Sequence, residues 1–189
     1  MDNRKAILFS APSGSGKTTI IRQILEQFGC FEFSISATSR QPREGEVDGV
    51  DYYFLSPEDF KSRVAQGDFL EWEEVYQGTC YGTLKSEIDR IWDDGNVIIF
   101  DVDVNGGKNI KKYFGSDALA IFVMPPSVEE LERRLRGRGT ESEESIQKRL
   151  DRSAAELNES VHFDKTIIND DLSRAVAETA EAIREYLNL

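Results

Sequence analysis

Residues 11–19, Ala-Pro-Ser-Gly-Ser-Gly-Lys-Thr-Thr, place small, glycine-rich backbone directly ahead of a lysine and two threonines. That combination suits the holding of phosphate oxygens. Several backbone N–H groups must converge on an anion, and Gly14 and Gly16 permit the backbone conformations this needs, with Ser13 and Ser15 between and before them. Lys17 would reach the β- and γ-phosphates of a nucleotide, the Thr18 hydroxyl would ligate Mg²⁺, and Thr19 continues the helix start. The common pattern begins with glycine, whereas this chain has Ala11 there. A glycine-rich turn that only caps a helix is the plainer reading. It fits less well, because an apolar strand (Ala6 to Phe9), the loop, Lys-Thr and an amphipathic helix follow in register.

Other residues could complete such a site. Asp101 and Asp103 end an apolar run, Val97 to Phe100, and acids at a strand end suit a Mg²⁺–nucleotide site; either could equally cap a turn. Arg40 and Arg43 bracket Pro42, so two guanidinium forks could clamp one phosphate, although a solvated loop gives the same pattern. Tyr52 and Tyr81 stand at turn-rich positions and read equally as hydroxyl donors or as core. Arg138, between Gly137 and Gly139, and Arg149 beyond it resemble a mobile basic lid; by pattern alone an ordinary basic helix face is the better reading. Asn169 follows the last strand.

The elements that must carry these residues follow from periodicity. Strands are expected at Ala6 to Phe9, Phe31 to Ile35, Asp51 to Leu55, Leu70 to Val75, Asn96 to Asp103, Ala118 to Met124 and Lys165 to Ile168. Helices are expected after Lys17, after Ser56-Pro57, from about Leu84 to Trp92, after the Ser127–Glu130 capping box with Val128, Leu131 and Leu135 inward, from near Ser142 with Ile146, Leu150, Ala154 and Leu157 on one face, and from Leu172 to Leu187. Strands alternating with helices imply a parallel sheet covered on both faces, whose ligands bind beyond the carboxyl ends of the strands.

The 189 residues suffice for one domain with a small insertion, and the formal net charge of −12 argues against binding nucleic acid or an anionic membrane by bulk charge. No run is long and apolar enough to span a bilayer, and the first residues lead directly into a strand, so the expected compartment is the cytoplasm. Cys30 and Cys80 lack metal-type spacing and are expected as reduced thiols; His162 is expected to be exposed or structural.

Taken together, the motifs resemble the guanylate kinase family, which phosphorylates GMP with ATP. The resemblance runs over nearly the whole chain: residues 13–18, Ser36 to Arg43, Gly45 to Tyr52, Phe69 to Trp72, Tyr81 to Thr83, Asp101 to Asp103, Gly137 to Glu144 and Ile168 to Asp171. It implies an α/β fold of the P-loop NTPase type, a parallel sheet flanked by helices, within one domain of residues 1–189. The core would be 1–35, 84–125 and 160–189, with a small, mostly β GMP-binding insertion at 36–83 and a helical lid at 126–159. It implies Arg40, Arg43, Tyr52 and Tyr81 as ligands of the GMP phosphate, Ser36, Glu71 and Thr83 as guanine readers, Asp101 and Asp103 near GMP, Arg138 and Arg149 as lid arginines, and Asn169 near adenine. Lys17, Arg43, Arg138 and Arg149 would act in catalysis. ATP with Mg²⁺ would be the donor and GMP, with dGMP, the acceptor; no nucleic acid or membrane partner is implied, and either a monomer or a homo-oligomer fits. Two departures stand out: Asn105 where many members have Gln, and a loop around Gln77 one residue longer than common.

Two rivals share the fold. Silent peptide-binding relatives of these kinases usually lack a working phosphate loop, which this chain keeps. Kinases acting on a ribose phosphate have no need of the Ser36, Glu71 and Thr83 set. Guanine presents N1–H and N2–H₂ as adjacent donors that one carboxylate can accept, whereas adenine N1 would face that carboxylate lone pair to lone pair. Glu71→Gln is therefore expected to weaken GMP relative to AMP by about 10- to 100-fold in kcat/KM; an equal effect on both substrates in a steady-state assay would remove Glu71 from base recognition.

Overall fold

The computed structural model describes residues 4–76, 78–137 and 143–189. In chain order the elements are β1 (Ala6–Ser10), α1 (Lys17–Gln27), β2 (Phe31–Phe33), β3 (Ala37–Thr38), β4 (Tyr53–Phe54), α2 (Pro57–Gln66), β5 (Phe69–Tyr76), β6 (Thr79–Leu84), α3 (Lys85–Asp93), β7 (Val97–Asp101), α4 (Val104–Phe114), β8 (Ala118–Met124), α5 (Val128–Gly137), α6 (Glu143–Asn158), β9 (Lys165–Ile168) and α7 (Leu172–Leu187). The chain divides into two compact units: Met1–Lys5 with Cys30–Phe100, and Ala6–Gly29 with Asp101–Leu189.

In the second unit, β8 lies between β1 and β9 and pairs with both in parallel, Phe9 opposite Ile121 and Val123 opposite Ile167. Every residue of β1 is buried, and β8 is buried from Ala118 to Val123. This is why both read as unbroken apolar runs rather than as alternating ones. Helix α4 packs on β1 and β8, and α1 packs on α7. Leu131 and Leu135 of α5 close a small core with Ile146 and Leu150 of α6.

The first unit holds the parallel pair β2–β7 and a four-stranded sheet ordered β4-β3-β6-β5. In that sheet β3 pairs with β4 in parallel and with β6 antiparallel, and β5 pairs with β6 antiparallel. Helix α2 begins as its sequence predicts. Ser56 Oγ accepts from the Asp59 N–H at 3.0 Å, Pro57 takes the first helical position, and Gly67 closes the helix at φ 76°. Its buried Phe60 stacks on Phe69 with ring centroids 4.5 Å apart.

Several expectations are corrected. Residues 104–114 form a helix that the sequence reading did not place. Paired glycines at 106 and 107 and a lysine-rich tail obscured the apolar spacing of Val104, Ile110 and Phe114, all buried. Gly107 is needed there for close approach: a Cβ on it would lie 3.1 Å from the Phe163 ring and 3.4 Å from Leu8 Cδ1. The strand expected over Asp51 to Leu55 is reduced to Tyr53–Phe54 and that over Phe31 to Ile35 to Phe31–Phe33. Around the former, carboxylates take backbone N–H groups that a ladder would have used: Asp51 accepts from Val47 N at 2.7 Å and Asp48 from Phe54 N at 2.8 Å. Val128, expected inward, is exposed at the start of α5, and Ser153 rather than Ala154 continues the buried face of α6.

A buried carboxylate ties the first unit together. Glu87 of α3 accepts from Ile35 N at 3.0 Å, from the Tyr53 hydroxyl at 2.8 Å and from Arg90 Nη2 at 2.9 Å, while Arg90 Nη1 also reaches Glu32 at 2.5 Å. Burial alone would push Glu87 up, but the Arg90 guanidinium, the Ile35 N–H and the Tyr53 hydroxyl together hold it below its ordinary 4.5. A carboxylate with a depressed folded pKa contributes stability above its unfolded pKa and loses it as pH falls through the folded value. Glu87→Gln is thus expected to cost ~2 kcal/mol near neutral pH. In urea unfolding from about pH 7 down to about pH 3, the gap from the unsubstituted protein should narrow once the pH passes below the unfolded carboxylate range.

Candidate active site

In the second unit the phosphate loop joins β1 to α1. Gly14 and Gly16 have φ of 95° and 90°, the left-handed region that glycine enters without penalty, and Gly16 is the N-cap of α1. Ser15 is buried, with its N–H and hydroxyl both turned to Pro12 O, at 3.2 and 2.8 Å. Its carbonyl is gripped from outside the loop: Asn169 Nδ2 donates to Ser15 O at 2.7 Å and Arg134 Nη1 at 3.4 Å. A trans peptide sets C=O and N–H on opposite sides of one plane. Donors that pull Ser15 C=O one way therefore aim the Gly16 N–H the other way, toward the mouth of the helix. Asn169 is itself fixed, its N–H on Met124 O at 2.8 Å and its carbonyl on Arg134 Nη2 at 2.8 Å.

Lys17 forms an ion pair with Asp101 at the end of β7 and donates to Val102 O at 3.0 Å. The ammonium is thereby held beside the loop. Thr18 and Thr19 are exposed in the first turn of α1. From α6, Arg149 Nη1 reaches Ser13 Oγ at 3.1 Å. Asp103 is the N-cap of α4, accepting from Gly106 N at 2.8 Å, and lies 3.5 Å from Arg152 Nη2. Of the two acids, Asp101 engages the loop lysine and Asp103 does the capping work that the sequence left open. Beside Asp103, Glu156 is pushed up, chiefly by burial and against the pull of Arg152.

The first unit gathers a second polar set. Arg40 Nη1 and Nη2 donate to the two oxygens of Glu46 at 2.6 and 2.7 Å, and Nε donates to the Tyr81 hydroxyl at 3.1 Å. The guanidinium stacks over Tyr52, 5.0 Å from the ring centre, and Tyr52 meets Tyr81 edge-on at 5.8 Å. Glu46 is held well below the usual carboxylate range, to about 2, by Arg40 first and then by the Arg43 N–H, and it raises Arg40 in turn. Glu71 of β5 sits opposite Thr83 of β6 in register, and Thr83 Oγ1 donates to Glu71 Oε1 at 2.8 Å. Ser36 directly precedes β3, where its carbonyl accepts from Tyr53 N at 2.9 Å. Arg43 is exposed, with its backbone N–H on Glu46 Oε2 at 2.7 Å.

The structure thus brings Arg40, Tyr52 and Tyr81 together, pairs Glu71 with Thr83, and joins Lys17, Asp101, Ser13 and Arg149 around the loop. Arg138 and Gln77 lie outside the described residues. Glu46, Glu87 and Arg134 were not singled out from the sequence. The position of Glu46, six residues after Arg40 and three after Arg43, was the available signal.

Parallel strands flanked by helices, with a glycine-rich loop feeding a helix N-terminus and a lysine held at its mouth, define a P-loop nucleotide-binding protein. Residues 3–186 match the family model described as guanylate kinase. The chain belongs to the guanylate kinase family. It is 51% identical to a guanylate kinase of Salinibacter ruber over 188 residues, covering 100% of both chains. It is 53% identical to one of Bacteroides thetaiotaomicron, covering 97% of this chain and 90% of the relative. Among solved structures, a guanylate kinase from Anaplasma phagocytophilum superimposes with a TM-score of 0.76 at 28% identity, over 96% of this chain and 85% of that one. A shikimate kinase from Bacteroides thetaiotaomicron matches in fold alone, with a TM-score of 0.51 at 13% identity.

The loop's geometry yields a sharp expectation. A Cβ on Gly16 would sit 2.3 Å from Asn169 Nδ2, in a backbone conformation that side chains rarely adopt. Gly16→Ala should displace the Asn169 clamp and raise the ATP Kd by about 100-fold or more. Gly29→Ala, where nothing lies within 4 Å, should bind ATP normally in the same titration.

Proposed function

We propose that this chain phosphorylates GMP to GDP with ATP as donor, within purine nucleotide metabolism in the cytoplasm. The observation that carries the reading is the guanylate kinase match across residues 3–186, joined to a loop whose lysine and backbone are already set for phosphate. An oxygen of the GMP phosphate forms a bond to the γ-phosphorus of ATP; the bond from that phosphorus to the β–γ bridging oxygen breaks, and its electron pair leaves with ADP. The attacking oxygen is already anionic, so no strong general base is needed, and positioning with charge stabilisation does the work.

In this reading, Ser13 to Thr19 cradle the ATP phosphates and Lys17 neutralises charge on the transferring group. Arg149, next to Ser13, adds positive charge at the loop, and Arg138 is assigned the same task by family resemblance. Asn169 serves ATP by fixing the loop, with Arg134 beside it. Arg40, Arg43, Tyr52 and Tyr81 receive the GMP phosphate; Glu71, paired with Thr83, and Ser36 read guanine; Asp101 and Asp103 lie at the acceptor end.

The donor set also fits Mg²⁺. Thr18 offers an exposed hydroxyl in the first turn of α1, and Asp101, paired with Lys17, offers a hard carboxylate oxygen, directly or through water. Among the described residues no three His, Cys, Asp or Glu side chains converge as a metal cage, which suits an ion that keeps water and phosphate oxygens. Bound there, it would neutralise charge on the donor phosphates.

The test is a coupled ADP-release assay over GMP, dGMP, AMP, UMP and ribose phosphates, with GMP expected to be preferred. Lys17→Ala should lower kcat by ~10³-fold or more while leaving the folded structure intact by circular dichroism; a near-normal rate in that variant would overturn the assignment of Lys17.

A further inference from the structure

We infer that Glu46 is a positioning residue for the acceptor phosphate: one carboxylate sets both the direction of the Arg40 guanidinium and the backbone at Arg43. The inference rests on the reading that these arginines receive the GMP phosphate. Oε1 accepts from Arg40 Nη2 at 2.7 Å, while Oε2 accepts from Arg40 Nη1 at 2.6 Å and from the Arg43 N–H at 2.7 Å. The side chains of Arg40 and Glu46 are 14% and 19% exposed, so the pair is largely sheltered from water. Arg40 Nε is taken by the Tyr81 hydroxyl, and Nη1 also donates to Gln41 O at 3.0 Å. All three guanidinium nitrogens are therefore engaged, and the guanidinium lies against two neighbouring rings, Tyr52 at 5.0 Å and Phe54 at 5.5 Å from their centres.

An arginine on its own would sample many rotamers, and a phosphate would have to select one of them. Here the fork is set before any phosphate arrives. The same carboxylate closes the turn at Arg43, so the spacing of the two arginines is set from one point. The opposite role is also chemically sensible. Glu46 could occupy the place of the phosphate and have to be displaced by it. The two roles differ in sign, since removing a positioner weakens GMP and removing a competitor tightens it.

Steady-state kinetics of Glu46→Gln, Arg40→Ala and the double variant decide between them. Glu46→Gln is expected to raise KM for GMP by about 10-fold or more and to leave KM for ATP within about 2-fold. In the Arg40→Ala background, the same substitution should cost clearly less than in the unsubstituted protein, because only the part that passes through the Arg43 backbone remains. Inhibition by guanosine, which lacks the phosphate, should be unchanged, and Glu46→Asp should recover part of the loss. A fall in KM for GMP would make Glu46 a competitor. A parallel weakening of guanosine, or additive effects in the cycle, would reduce it to structural support. Failure of the unsubstituted protein to phosphorylate GMP in the same assay would instead remove the functional reading on which the inference stands.

Discussion

The structure depends on one constraint: the cations that the proposed function assigns to phosphate are held still by partners within the chain. A free lysine or arginine carries about 2 kcal/mol of rotamer entropy, part of which is lost when it is fixed on a ligand. The chain meets that cost within its own folding. Lys17 is held by Asp101 and Val102 O, Arg149 reaches Ser13, and Arg40 is locked by Glu46 and Tyr81. A net charge of −12 is compatible with an anion-binding protein for this reason. Several of its carboxylates are partners of the cations themselves.

The same logic extends to the backbone. A phosphate loop works through N–H groups, yet every peptide also carries a carbonyl that would repel the anion. Asn169 and Arg134 resolve this by drawing Ser15 O outward. Arg134 is in turn held by Glu130 at 2.8 Å, so the clamp is anchored through α5 as well as through the turn after β9. Rigidity of the loop is thus imported from elements far away in sequence.

This division explains what could be read from the sequence and what could not. The loop, its strand and its helix were legible because their signals are local: an apolar run, glycines at fixed offsets, Lys-Thr. Helix α2 was legible for the same reason, through Ser56 and Pro57. Helix α4 was missed because Gly107 serves a contact with Phe163 and Leu8 that no local pattern records. Family resemblance set Asn169 near adenine as an expectation, but its grip on Ser15 spans 154 positions and has no local signal. Glu87 looked like any helix-surface acid, since its partners Ile35 and Tyr53 lie 52 and 34 positions away. Glu46, by contrast, stood within reach of Arg40 and Arg43. It was overlooked because acids in a glycine-rich turn usually face solvent.

The turn between Arg43 and Phe54 has a kinetic consequence. Its carboxylate-to-amide bonds join residues only 3, 4 and 6 positions apart: Glu46 to Arg43, Asp51 to Val47, and Asp48 to Phe54. Closing such short circuits costs little chain entropy, and they can form on a submicrosecond timescale without waiting for distant strands. After a local opening, this stretch can rebuild itself from its own residues, so an excursion that frees Arg40 and Arg43 need not be followed by a slow search for the conformation that holds them.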